Sequence, residues 1–261
     1  MVSQVVSFEL VYRACSVYTA FRNLLAEKPL NEYGLCVGSM EQVRTIVAYH
    51  VSKPDGGWCY IWRNAPFLSE RKRHSDPSKW LTDGYYFWTD STHFARHWGE
   101  TAYNNSYTIS QCTVAVPEEE LLDLVGNVED QLFFEKLFDR LKRIYEKEKR
   151  PLRYATVPDV IDWAREKKFL PHTAIKASDC PKGAINVPFK VESQAKTERD
   201  GKAERLMLPT RQQLCVFEGY EKYFETVTVI YPEAFRLAVE NVYELQGRGC
   251  DEETKKRRIA Q

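Results

Sequence analysis

The chain has 261 residues, 43% of them apolar and 13% aromatic, enough to bury a sizeable core in one large domain. Lys plus Arg equals Asp plus Glu at 37 each, so no global field draws the protein to a polyanion, and any such binding must come from a local surface. Seven cysteines, at 15, 36, 59, 112, 180, 215 and 250, form no Cys-x-x-Cys pair, which suits neither a zinc ribbon nor a disulfide framework and fits reduced thiols in the cytoplasm.

In chain order, Val5 to Arg13 alternates and is rich in Val, Phe and Tyr, which predicts a strand, and Val17, Phe21, Leu24 and Leu25 then recur at helical spacing. Ser39 to Gln42 has the form of a capping box, and the stripe Met40, Val43, Val47, His50 predicts a second helix that carries His50. The Gly, Pro, Asp and Ser content of residues 53–77 predicts a long irregular loop. Gly84 to Thr89 reads as a strand, Asp90 or Ser91 as the cap of a short helix with Phe94, Ala95 and Trp98 inward, and Tyr107 to Val116 as a further strand.

Glu129 to Lys149 is the longest expected helix, apolar at Leu132, Phe133, Leu137, Leu141 and Ile144, and Thr156 opens another that runs to Phe169. Strands are expected again at Ala184–Val191, Gln213–Phe217 and Thr226–Tyr231, with a hydrophilic loop from Glu192 to Arg205 between the first two. Pro232 to Gln246 reads as a helix, and residues 248–261 as a solvated tail. No run of about eighteen apolar residues occurs, and the first residues lack a basic-then-apolar leader pattern, so no membrane partner is expected. The pattern is α+β, in one domain over residues 1–247.

Three motifs stand in order: Leu10-Val-Tyr-Arg13-Ala-Cys-Ser16, the run "GYYFWTDSTHFARHW" from Gly84 to Trp98, and Gln212-Gln213-Leu-Cys-Val-Phe217. Together they resemble the ADP-ribosyltransferase family, especially its bacterial or phage toxin-like members. The resemblance implies a split β-sheet core with peripheral helices, in which residues 129–169 form a helical insertion. It implies NAD as co-substrate, gripped by Arg13 and Ser16 on a first strand and by Gly84, Tyr85, Tyr86 and Trp88 on a second. Gln213 on a late strand, with Tyr86 and Arg13, carries catalysis in this reading. His50, in "YHVS", is the alternative first-strand residue, and Glu218 the alternative late-strand carboxylate.

The implied activity is transfer of ADP-ribose from NAD to a protein or nucleic-acid acceptor with release of nicotinamide, in a toxin kept in check by a neutralising antitoxin protein. The chemistry accounts for the residue types. Breaking the N-glycosidic bond passes through an oxocarbenium-like state, which needs a flat surface for nicotinamide and hydrogen bonds to the ribose and pyrophosphate. Aromatics supply the surface, and an Arg fork suits phosphate oxygens. Gln213, unlike Glu, carries no charge to stabilise a cation, which leaves a second reading open: a catalytically weak binding module on the same fold. His93 and His97 share a helix face but lack an acidic neighbour, so no metal is expected.

Overall fold

The computed structural model describes residues 42–70, 80–151, 155–179, 184–188 and 205–246. The expected first strand and helix, with Arg13 and Ser16, lie outside the described residues, as do residues 192–204 of the expected hydrophilic loop and the tail at 248–261.

Among the described residues nine strands and five α-helices follow in order: β1 (Val43–Ser52), α1 (Gly57–Asn64), β2 (Tyr85–Thr89), α2 (His93–Ala102), β3 (Thr108–Pro117), β4 (Leu121–Asp123), α3 (Val128–Lys147), α4 (Val157–Glu166), β5 (Ala174–Asp179), β6 (Ile185–Pro188), β7 (Arg205–Leu208), β8 (Arg211–Val216), β9 (Phe224–Tyr231) and α5 (Glu233–Gln246). Seven strands form one sheet in the order β4-β5-β8-β2-β1-β3-β9, while β6 and β7 pair separately. All pairs in the large sheet are antiparallel except β4 with β5. The α+β class is therefore as expected.

The pairing is uneven. β1 keeps register with β3 from Val43↔Pro117 to Ser52↔Thr108, yet meets β2 only at Ala48↔Thr89 and Tyr49↔Trp88. β2 stays with β8 from Tyr85↔Val216 to Trp88↔Gln213. The sheet is thus two wings, β4-β5-β8-β2 and β1-β3-β9, joined by a short seam. Gly84 leads into β2 at a point where a Cβ would lie 2.6 Å from both Cys215 Sγ and the Val216 carbonyl oxygen, so only a glycine lets β2 approach β8 this closely.

Helices cover both faces. On one, Leu137, Leu141 and Tyr145 of α3 and Val160, Ile161 and Ala164 of α4 enclose Ile175 and Cys215. On the same face α2 lies over Trp88, Tyr107 and Ile109 through Ala95, and Gly99 lets the Tyr107 ring press against the helix. On the other, α1 and α5 meet over Val229 through Ile61 and Val239. Caps fix the helix starts: the Asn127 side chain accepts from the Glu129 and Asp130 N–H groups, and Thr156 forms a capping box with Asp159. Of residues 129–169, read above as an insertion, the described ones carry α3 and α4, which pack into the core beneath the β5–β8 wing.

Two expectations fail. The stripe through Val43, Val47 and His50 belongs to strand β1, not to a helix: the segment is β-branched-rich, and ten paired residues on β3 outweigh a local periodicity that fits both structures. Residues 57–64, expected as loop, form α1, because Gly56 at φ 83° and Gly57 at φ 75° make the sharp entry that Gly-rich sequence had suggested was a loop, and Ile61 then has a core to fill. Strands β4, β5 and β7 were not expected at all; β4 and β5 extend one wing with the buried Leu122, Ala174 and Ile175.

Candidate active site

Residues paired across antiparallel strands share a face, as do alternate residues along each strand. The pairs Tyr86↔Cys215 and Trp88↔Gln213 therefore put Tyr86, Trp88 and Gln213 on the α-helical face covered by α2, α3 and α4. Tyr85 points to the other face, where its hydroxyl donates to Glu221 at 2.8 Å and its ring meets Phe224 edge-on. Burial first, then Glu221, raises the Tyr85 phenol well above its ordinary range. The two adjacent tyrosines consequently serve different faces.

Tyr86 and Gln213 are held by one short segment. The Trp80 indole N–H donates to Gln213 Oε1 at 2.6 Å, the Leu81 N–H donates to the Tyr86 hydroxyl at 2.9 Å, and that hydroxyl donates to the Thr82 carbonyl at 2.6 Å. Thr82 in turn donates its hydroxyl to Asp162 of α4. Gln213 is 7% exposed and sits beside Cys215, whose thiol burial pushes up and keeps protonated. Trp88 is buried beneath α2, its ring near Phe94 and Trp98. Glu218 is exposed in the turn after β8, where Gly219 has φ 90°, and its strand does not carry it toward Tyr86.

His50 lies at the seam, facing away from Tyr86 and Gln213, since its neighbour Tyr49 pairs with Trp88. Its ring rests against Phe87 and Phe67. Nδ1 donates to the Tyr86 carbonyl at 3.0 Å and Nε2 accepts the Phe67 N–H at 3.1 Å, a division that requires the neutral Nδ1–H tautomer. Desolvation lowers its pKa to about 4, against the opposing bond to Tyr86. The imidazole thus bridges β1 and β2 where their backbone pairing has ended.

Beside it opens a cleft of about 270 Å³, whose wall includes His50, Ser52, Lys53, Asp55, Phe67 and Tyr103. That volume is at the small end for a small-molecule site, and Lys53 and Asp55 leave its rim of mixed charge. Sequence reasoning missed Trp80, Thr82, Asp162 and Lys53. The only local signal was a tryptophan placed in a polar loop.

Elsewhere, His93 and His97 lie exposed on α2, and among the described residues no group of three or more candidate ligands surrounds a common point. No helix among the described residues is long and apolar enough to cross a membrane. Six basic residues, Arg140, Lys142, Arg143, Lys147, Lys149 and Arg150, crowd the end of α3, and they are partly engaged: Arg140 lies over the Phe169 ring, Lys142 pairs with Asp139, and Arg150 lies over Tyr145. Comparison of the chain with family models, with characterised proteins and with solved structures finds no significant match.

Proposed function

We propose that this chain is a mono-ADP-ribosyltransferase of the bacterial toxin-like kind, with an ADP-ribosyltransferase split sheet, that cleaves NAD and transfers ADP-ribose to a macromolecule. The observation that carries the reading is the parted sheet. Its aromatic strand β2 lies between β1 and β8, with Tyr86 and Gln213 on one face of adjacent strands and, on the face to which His50 points, a cleft where β1 and β2 diverge. A flat ring and a carboxamide held side by side are what a nicotinamide riboside would use, one to stack and one to hydrogen-bond. In this reading β1 is the first strand, and His50 shapes the site through the Tyr86 backbone. Engagement of Arg140, Lys142 and Arg150 by their own neighbours favours a protein acceptor over nucleic acid. A cytoplasmic setting and a neutralising partner protein belong to the same proposal.

A second reading has one observation in its favour. The polar ends of Tyr86 and Gln213 are both taken up by residues 80–82, as suits a packed strand in a binding module. One experiment separates the two: incubate the purified chain with NAD and measure bound NAD and released nicotinamide. Release that depends on Gln213 supports the transferase. Binding without release points to the module, and the absence of both rejects the NAD site.

A further inference from the structure

An indole N–H is a donor only, so the Gln213 atom that meets Trp80 at 2.6 Å is the carbonyl oxygen, and the carboxamide is turned with its NH₂ away from the indole. Among the described residues Trp80 is the one partner of that carboxamide. The segment bearing Trp80 is tightly fixed. Leu81 and Thr82 clasp the Tyr86 hydroxyl through their backbones, and Asp162 accepts from the Thr82 side chain. Thr82 itself is buried with φ 75°, a left-handed conformation that a β-branched residue adopts only when its surroundings impose it.

We propose that Trp80 is a positioning residue for the reaction proposed above, a proposal that rests on that reading: it turns Gln213 so that the ligand meets two N–H donors and not a carbonyl. The atom recognised is then an acceptor oxygen of the nicotinamide ribose. Gln213 orients this oxygen and, being an amide, is no base, so a proton lost by the acceptor nucleophile must pass to another group. A Glu at 213 would keep the Trp80 bond and present an acceptor in place of a donor, reversing the polarity of the contact. Trp80 thus decides which end of the amide is presented.

The test is a double-mutant cycle on NAD cleavage with wild type, Trp80→Phe, Gln213→Glu and the double variant, alongside the side-chain amide resonances of Gln213. Trp80→Phe keeps a ring and loses the N–H; it should lower kcat about tenfold, leave KM nearly unchanged and shift the Gln213 NH₂ resonances. In the Gln213→Glu background the same change should have a much smaller effect, because a carboxylate has two equivalent oxygens and no orientation to lose. An unchanged kcat and unchanged resonances in folded Trp80→Phe, or an equal loss in both backgrounds, would overturn the proposal while leaving the NAD reaction standing. If Trp80→Phe does not fold, Gln213→Ala gives the reciprocal reading: one indole N–H resonance should move upfield, and its constancy refutes the bond. A wild type that neither binds nor cleaves NAD removes the parent reading and this one together.

Discussion

A buried imidazole with both nitrogens engaged makes His50 a stability element with a pH signature. Its folded pKa, near 4, lies below the ordinary 6.5, so as pH falls the unfolded chain takes up the proton first. Its contribution is full above about pH 6.5 and is lost progressively as pH falls toward 4. Between pH 7 and pH 5 this amounts to roughly 2 kcal/mol of unfolding free energy. Urea melts at the two pH values should show the drop. His50→Phe should flatten the difference, while costing about 2 kcal/mol at pH 7 because the Phe67 N–H and Tyr86 carbonyl lose their partner.

Tyr86 separates ring from hydroxyl at the same scale. The hydroxyl ties down Leu81 and Thr82, so Tyr86→Phe should cost about 1–2 kcal/mol of stability by leaving the Leu81 N–H without its acceptor. NAD affinity of the folded variant should change little if the ring is what stacks. Tyr86→Ala should weaken binding about tenfold or more, read by calorimetry at a temperature where both variants are folded. Equal affinities for the Ala variant and wild type would show that this ring only packs against the core.

At the scale of elements, α3 presents two kinds of leucine that the apolar pattern lists alike. Leu141 is 3% exposed against α4, whereas Leu132 is 43% exposed. Leu141→Ala should therefore cost about 2–5 kcal/mol and Leu132→Ala under about 0.5, measured by denaturant midpoints with unchanged slope. The join between β2 and β8 makes a second demand. Gly84→Ala places a methyl 2.6 Å from a backbone carbonyl oxygen, which cannot swing aside as a side chain can. The variant should lose about 1–3 kcal/mol and, by loosening β2, disturb the Tyr86 and Gln213 pair more than any surface change of equal size.

For the whole molecule, the balance of 37 basic and 37 acidic residues leaves steering to local patches, and part of the 140–150 patch is engaged by its own fold. Binding to nucleic acid should consequently be weak and should fall steeply with salt, whereas modification of a protein acceptor should depend on salt only modestly. Labelling a mixed extract with a tagged NAD at low and high salt distinguishes the two. Label that stays on protein at high salt agrees with the proposal, and label confined to nucleic acid contradicts it.

Wherever one face is apolar and the turn residues are local, residue order alone was enough. β2, α2, β3, α3, α4, β9 and α5 all lie where alternation and 3.6-residue stripes place them, because those signals arise from neighbours a few positions apart, although the N-cap of α2 is Thr92 and not Asp90 or Ser91. The α+β class came from the same kind of reading, whereas Tyr86 and Gln213 were singled out by the resemblance of three ordered motifs to a known family. What local sequence could not decide was set by distant partners. Val43 to Ser52 became a strand because β3 offers it ten residues to pair with, and β4 and β5 exist because parallel and antiparallel neighbours bury segments too short to announce themselves. The orientation of Gln213 depends on Trp80, 133 positions away, and the opposite facing of His50 and Tyr86 depends on a two-residue seam between β1 and β2. The facing is a consequence of register, which the sum of long-range pairing across the sheet fixes, and the Trp80 bond is a consequence of a turn folded over the face that register selects; no single stretch of chain contains either.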